Sequence, residues 1–172
     1  MNLDLFYAFY NFGVAHPTLR LVAEWISGPL SYIVFPILII GFLTLRSKKK
    51  IDTFSLIVLS TFTAWLTARI LKEVFHQMRP DEALKLTTLI PLGGYSFPSE
   101  HAAVYGAISL VLFHFDYRFG MVGLVATILV ALSRIIVGAH YPFDVLCGAL
   151  IGALVSYGCI TFLSRLFTRS SQ

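Results

Sequence analysis

Five apolar stretches, near residues 28–46, 53–75, 99–115, 119–138 and 142–165, constrain this chain more than any other feature. Each runs about 17 to 25 residues, close to the ~20 that a helix needs to cross ~30 Å of hydrocarbon. Lipid offers no partner to an exposed backbone N–H or C=O, so such spans must satisfy their hydrogen bonds internally, as helices. Only 13% of the 172 residues are charged, against roughly a quarter in a soluble domain. The expected fold is an all-α, polytopic membrane helix bundle of about five to six transmembrane helices plus an N-terminal interfacial helix, with residues 1–172 forming a single domain.

The first 27 residues contain no window that spans, because Asp4, His16, Pro17, Arg20 and Glu24 interrupt them. Leu3, Leu5, Phe6, Phe9 and Tyr10 suit one face of a short helix, and Leu19, Leu21, Val22, Trp25 and Ile26 suit a second. This segment, 1–27, is expected to lie in the interface. With no basic leading region, and with Asp4 ahead of the apolar residues, it does not read as a cleaved signal peptide.

Arg46, Lys48, Lys49 and Lys50 form the densest short basic loop, and cytoplasmic loops carry the excess of Lys and Arg. Crossing once per span places Arg118, Arg165 and Arg169 on that same cytoplasmic side. The polar residues at the other helix ends then face outwards. The longest connection, 79–98, mixes charged residues with Pro91, Gly93, Gly94 and Pro98 and sits outside the bilayer. Its Leu84, Leu86, Leu89, Ile90, Leu92 and Tyr95 either dip among headgroups as a lid or pack on the helix tops.

Three polar clusters fall at that outward end. In the first, Lys72 and Arg79 are about two turns apart, so both can lie on one side of a helix end before Pro80 stops it. They form an anion site or simply snorkel to the interface. Arg69, Glu73 and His76 nearby read as interfacial or paired. In the second, Pro98 and Ser99 start a helix whose first turn holds Glu100 and His101. Amides at a helix N-terminus suit a phosphate oxygen, and His101 can donate a proton to a leaving oxygen. A plainly capped helix is the other reading.

In the third cluster, Ser133-Arg134 closes one span, and His140 and Asp144 follow at a spacing of four. If both begin the next helix they share a face, and Asp144 can accept from the His140 ring. That bond fixes the tautomer and leaves the other nitrogen free to attack. Arg134 can return across the Gly138 turn to hold the electrophile. Two histidines with Asp144 and Glu100 could bind a divalent ion, but Lys72, Arg79 and Arg134 would repel it. The expectation is phosphoryl transfer with no metal and no cofactor, arginines stabilising the developing charge.

Taken in order, the clusters resemble the type-2 phosphatidic acid phosphatase superfamily, whose pattern is Lys, six residues, Arg-Pro; then Pro-Ser-Gly-His; then Ser-Arg, five residues, His, three residues, Asp. The likeness covers roughly residues 53–165, the catalytic core of the chain. It implies that His140 is a nucleophile forming a phosphohistidine and that Asp144 orients it. It implies further that His101 protonates the leaving lipid oxygen and then activates water, and that Lys72, Arg79, Ser99 and Arg134 bind the phosphoryl group. Glu100 stands where the pattern has glycine. Its negative charge makes it a possible modulator of the site, turned away or paired with a cation such as Arg79. The Phe-Pro-Ser-acid-His-Ala form is similar to the branch that dephosphorylates undecaprenyl diphosphate, a bacterial cell-wall lipid carrier.

The implied partners are a lipid phosphate or diphosphate and the bilayer of a bacterial cytoplasmic membrane, with the site facing periplasm or exterior. Phosphatidylglycerophosphate or phosphatidic acid are alternative substrates. A non-catalytic lipid-phosphate transporter and a phosphotransferase are alternative activities. The net charge of +4 divides between the basic loop and the clusters, with no basic stripe for nucleic acid; anionic lipid accounts for it. Cys147 and Cys159 lie twelve residues apart in one predicted helix, about 18 Å by helical rise and too far for a mutual disulfide. Gly148 and Gly152 are spaced for close helix packing.

Overall fold

A computed structural model of the chain describes residues 2–45, 50–86 and 93–169. Within them the chain forms α1 Asn2–Ala15, α2 Pro17–Ser27, α3 Pro29–Leu45, α4 Lys50–Phe75, a short α5 Pro80–Ala83, α6 Glu100–Phe115, α7 Tyr117–Ile136 and α8 Pro142–Arg169. No strand occurs among the described residues.

The central element is α6, which α4, α7 and α8 surround. Nine of its residues are buried, Ala102, Ala103, Tyr105, Gly106, Ala107, Ile108, Ser109, Val111 and Leu112, and a helix apolar on all sides belongs in a core. The contact between α6 and α8 is made of small residues. A Cβ on Gly106 would strike the Ala149 backbone, one on Gly148 the Ser99 carbonyl, and one on Gly152 the Ala103 carbonyl. Backbones this close gain dispersion contacts that lipid cannot replace, and the Ser156 hydroxyl adds a bond to the Ala107 carbonyl at 3.1 Å. Between α6 and α7, the Ser109 and Thr127 hydroxyls meet at 2.9 Å. At the end far from the clusters, Asp116 caps α7 by accepting from the Arg118 amide at 2.8 Å.

The outer faces are apolar stripes. Leu146, Leu150 and Leu154 on α8 and Phe62, Leu66 and Ile70 on α4 are all exposed, at the spacing of one helix face. By length and composition three segments among the described residues are fit to cross a bilayer, Asp52–Ala83, Tyr117–Ile136 and Pro142–Leu163, with a fourth if the bent pair α2–α3 is counted as one span. The sequence predicts five spans. The difference lies in α6, which has only 16 residues, about 24 Å of rise.

The N-terminal helices pack on the bundle. Phe6 of α1 is fully buried and its ring lies 5.5 Å from that of Tyr141, while Ala23 of α2 packs against Val137 and Ala139. Helices α2 and α3 meet at an angle of 55° around Gly28, and the Tyr105 hydroxyl pins the top of α3 by donating to the Ser31 carbonyl at 2.7 Å. Leu84 and Leu86 of the long connection pack against the cluster around Phe6 and Tyr10. Leu89, Ile90 and Leu92 lie outside the described residues, as do the side chains of Arg46 to Lys50, Arg165 and Arg169.

Candidate active site

The three clusters meet at one end of the bundle, and each is fastened to another by backbone. Lys72 extends from α4 and donates from Nζ to the Tyr95 carbonyl at 2.8 Å. Arg79 donates from Nε to the carbonyls of Gly94 at 3.0 Å and Gly93 at 3.2 Å, and from Nη1 to that of Ala139 at 3.1 Å. The Ser99 amide donates to the Asp144 carbonyl at 3.0 Å, tying the start of α6 to the start of α8. Lys72, Arg79 and Arg134 are at most 8% exposed. Burying three cations together is costly unless an anion joins them.

Local structure differs from the sequence expectation in two places. The helix carrying Lys72 does not reach Arg79: α4 ends at Phe75, and His76 turns the chain with φ +48. Arg79 is therefore extended, ahead of Pro80 at the start of α5, and meets Lys72 through the fold rather than along one helix face. His140, likewise, precedes α8 instead of sharing a helix with Asp144. Proline at 142 starts α8 and biases Tyr141 away from helical conformation, so His140 sits on the short connection where its amide and that of Ala139 both donate to the Arg134 carbonyl.

His140 and Asp144 are 1% and 0% exposed. The His140 Nδ1 lies 3.6 Å from Asp144 Oδ2, a close approach rather than the hydrogen bond expected, because that oxygen is already shared. Ser96 donates its hydroxyl to Oδ2 in a short bond, and the Tyr141 amide donates to it at 2.9 Å. The other ring nitrogen, Nε2, is 3.4 Å from Arg79 Nη1. A guanidinium only donates, so Nε2 accepts and the ring proton belongs on Nδ1, towards Asp144. Burial, and then the charges of Arg134, Arg79 and Lys72, hold the His140 ring well below its ordinary pKa. The result is an imidazole whose Nε2 lone pair rests on the Arg79 guanidinium, and attack on a phosphoryl group requires that guanidinium to turn its donor to a phosphate oxygen and free the lone pair.

Ser99 caps α6, accepting from the Ala102 amide at 3.4 Å, and keeps its own proton to donate. His101, one residue into the helix, lines a cavity of 290 Å³ with Tyr32, Trp65, Glu100 and Tyr105, within electrostatic range of Arg134, Lys72 and Arg79. Arg134 ends α7 and donates from Nη1 to Ser27 Oγ at 3.0 Å and to the Ser27 carbonyl at 3.2 Å. Glu100 pairs not with Arg79 but with Arg69, at 3.5 Å. Among the described residues no three His, Cys, Asp or Glu side chains gather to hold a metal ion.

Two residues of this site escape sequence reasoning: Ser96, which grips Asp144, and Ser27, which grips Arg134. Ser96→Ala leaves Asp144 with one fewer donor in a buried setting, and kcat is expected to fall roughly 10-fold with KM nearly unchanged. Steady-state phosphate release checks this; an unaltered kcat would remove Ser96 from the site.

Spans fit for a bilayer, with three buried cations and two histidines at one end, define a membrane protein built to hold an anion. The chain belongs to the PAP2 superfamily, whose family pattern matches residues 53–167. Its relatives include the bacitracin transport permease protein BcrC of Bacillus licheniformis, 28% identical over 90% of this chain and 76% of that one. They also include an undecaprenyl-diphosphatase of Sulfolobus acidocaldarius, 31% identical over 73% of this chain and 61% of that one. Others are named lipid A 1-phosphatase and phosphatidylglycerophosphatase B. The crystal structure of LpxE from Aquifex aeolicus superposes with a TM-score of 0.76 at 29% identity, covering 92% of this chain and 94% of that one. The protein is thus a membrane lipid phosphatase of the PAP2 type.

Proposed function

We propose that this phosphatase removes the terminal phosphate of a polyprenyl diphosphate, of the undecaprenyl kind, at the extracytoplasmic face of a bacterial cytoplasmic membrane. The observation that carries the chemistry is the buried His140, with Arg79 Nη1 3.4 Å from Nε2 and Asp144 behind Nδ1. Relatives named for undecaprenyl diphosphate support the substrate. The exposed Arg118 at the far end of the bundle, with the basic loop 46–50, supports the orientation.

Lys72, Arg79, Ser99 and Arg134 bind the terminal phosphoryl group. His140 Nε2 attacks phosphorus, forming a phosphohistidine, while the bond from phosphorus to the bridging oxygen breaks. His101 protonates that leaving oxygen. Asp144 stabilises the charge that develops on the His140 ring. Water, deprotonated by His101, then attacks the phosphohistidine, which releases inorganic phosphate and restores both histidines.

A panel of undecaprenyl diphosphate, phosphatidylglycerophosphate and phosphatidic acid, offered to the detergent-purified protein with excess EDTA, tests this reading. The diphosphate is expected to give the highest kcat/KM, and EDTA is expected to leave it unchanged. Preference for a monophosphate lipid would refute the substrate, and lipid movement without phosphate release would refute the chemistry.

A further inference from the structure

The deep cations account for one phosphoryl group. Lys72, Arg79 and Arg134 are almost fully buried, and each is already fixed by a carbonyl, so a second phosphate on the same lipid has to lie outside them, towards the tail. Two adjoining cavities mark a way for the tail. The 290 Å³ cavity beside His101 and Glu100 shares Trp65 and Val104 with an apolar cavity of 380 Å³ lined by Ile39, Phe54, Ile57 and Ile108. Together they run between α3 and α4, which make little direct contact, down the outer side of α6.

At the mouth of this track stands one more cation. Arg69 lies three residues before Lys72 on α4, about one turn nearer the bilayer centre on the same side. Its side chain is 56% exposed; its Nε is 3.9 Å from Oε1 of the exposed Glu73, and its Nη1 is 3.5 Å from Oε1 of Glu100, a carboxylate 22% exposed on the cavity wall. That oxygen has no hydrogen-bond partner of its own. A carboxylate here alone would repel an incoming phosphate; Arg69 offsets it.

We propose that Arg69 is a specificity-determining residue that takes the lipid-proximal phosphate of a diphosphate, with the Glu100 carboxylate holding that place on the guanidinium until the substrate arrives. The inference rests on the diphosphate reading above and names the group that recognises the second phosphate. Arg69 exchanges one anion for another, so a diphosphate meets a ready, oriented donor. A monophosphate lipid gains nothing from it, because its only phosphate sits among the deep cations.

The test uses the full chain in detergent, with whichever lipid of the panel the wild type turns over fastest. Methylenediphosphonate and inorganic phosphate serve as competing probes. The wild type is expected to have a Ki for methylenediphosphonate about 10-fold or more below that for phosphate, the worth of one charge-assisted contact. Arg69→Gln should erase that gap, Arg69→Lys should keep part of it, and Glu100→Gln should widen it by removing the competing anion. The Ki for phosphate should stay within about 2-fold in all three, as the deep cations are untouched. A wild type with no gap, a gap that survives in Arg69→Gln, or an equal weakening of both probes would each overturn the proposal. Failure of the diphosphate reading shows separately, as a wild-type preference for monophosphate lipids in the panel, while the inhibitor gap still reports on Arg69.

Discussion

His140→Ala is expected to abolish phosphate release, with kcat lower by at least about 10⁴-fold, in a protein that stays folded. The loss is total in mechanistic terms because, among the described residues, no other group stands in the same relation to both Arg79 and Asp144. His101 sits on α6, on the wall of the tail-side cavity. Folding survives because Arg79 keeps its bonds to the carbonyls of Gly93, Gly94 and Ala139, and Asp144 keeps Ser96 and the Tyr141 amide. Phosphate release measured beside circular dichroism and size-exclusion behaviour in detergent checks both halves. Wild-type turnover in a folded variant would overturn the covalent mechanism, while an unfolded variant would shift the test to His140→Gln, which retains most of the side-chain volume.

The second large effect concerns the fold. Gly152→Leu is expected to destabilise the bundle by about 3 kcal/mol or more, since an overpacked helix contact with no flexible neighbour has nowhere to relax. A Cβ at 152 would meet the Ala103 carbonyl and, at 2.8 Å, the Ala107 amide nitrogen, so the intruded atoms are backbone. Helices α6 and α8 would have to part. The bond from the Ser99 amide to the Asp144 carbonyl ties those same two helices, so activity should fall with stability. Gly158 on the same helix has nothing within 4 Å of an added Cβ, and Gly158→Ala is the matched control, expected to melt like the wild type. Thermal unfolding in detergent decides; equal midpoints for Gly152→Leu and wild type would mean that the two helices do not pack this closely.

The helices could be read from sequence because hydropathy over about 20 residues is a local property. The ends expected for the third and last spans, 99–115 and 142–165, differ by little from Glu100–Phe115 and Pro142–Arg169. Gly148 and Gly152 were equally legible, since their spacing alone places both on one helix face. The convergence of Lys72, Arg79, His140 and Asp144 was legible through residue order, although the local geometry was not. The predicted helix from Lys72 to Arg79 breaks at His76, and Pro142 excludes His140 from α8.

What stayed hidden depends on distant pairs. Ser96 reaches Asp144 across 48 residues and Ser27 reaches Arg134 across 107, and a serine in a loop or at a helix end has many local explanations. The Arg69 and Glu100 pair was invisible for the same reason, although the contact of Arg69 with Glu73, four residues on, at 3.9 Å is the local pairing that the spacing suggests. The N-terminal segment showed its apolar faces but not their destination, because Phe6 and Ala23 say nothing of the α7 and α8 surfaces that bury them.

The grip of Ser27 on Arg134 has a bearing on heredity as well as on chemistry. The family pattern begins at residue 53, yet both acceptors that fix this guanidinium come from residue 27, at the junction of two helices upstream. The stretch that the family pattern matches and the stretch that works are therefore not the same length. A chimera that grafts another N-terminal segment onto residues 53–167 inherits every motif but brings its own anchor for Arg134, so the pocket can be retuned from a part of the chain that carries none of its signature residues.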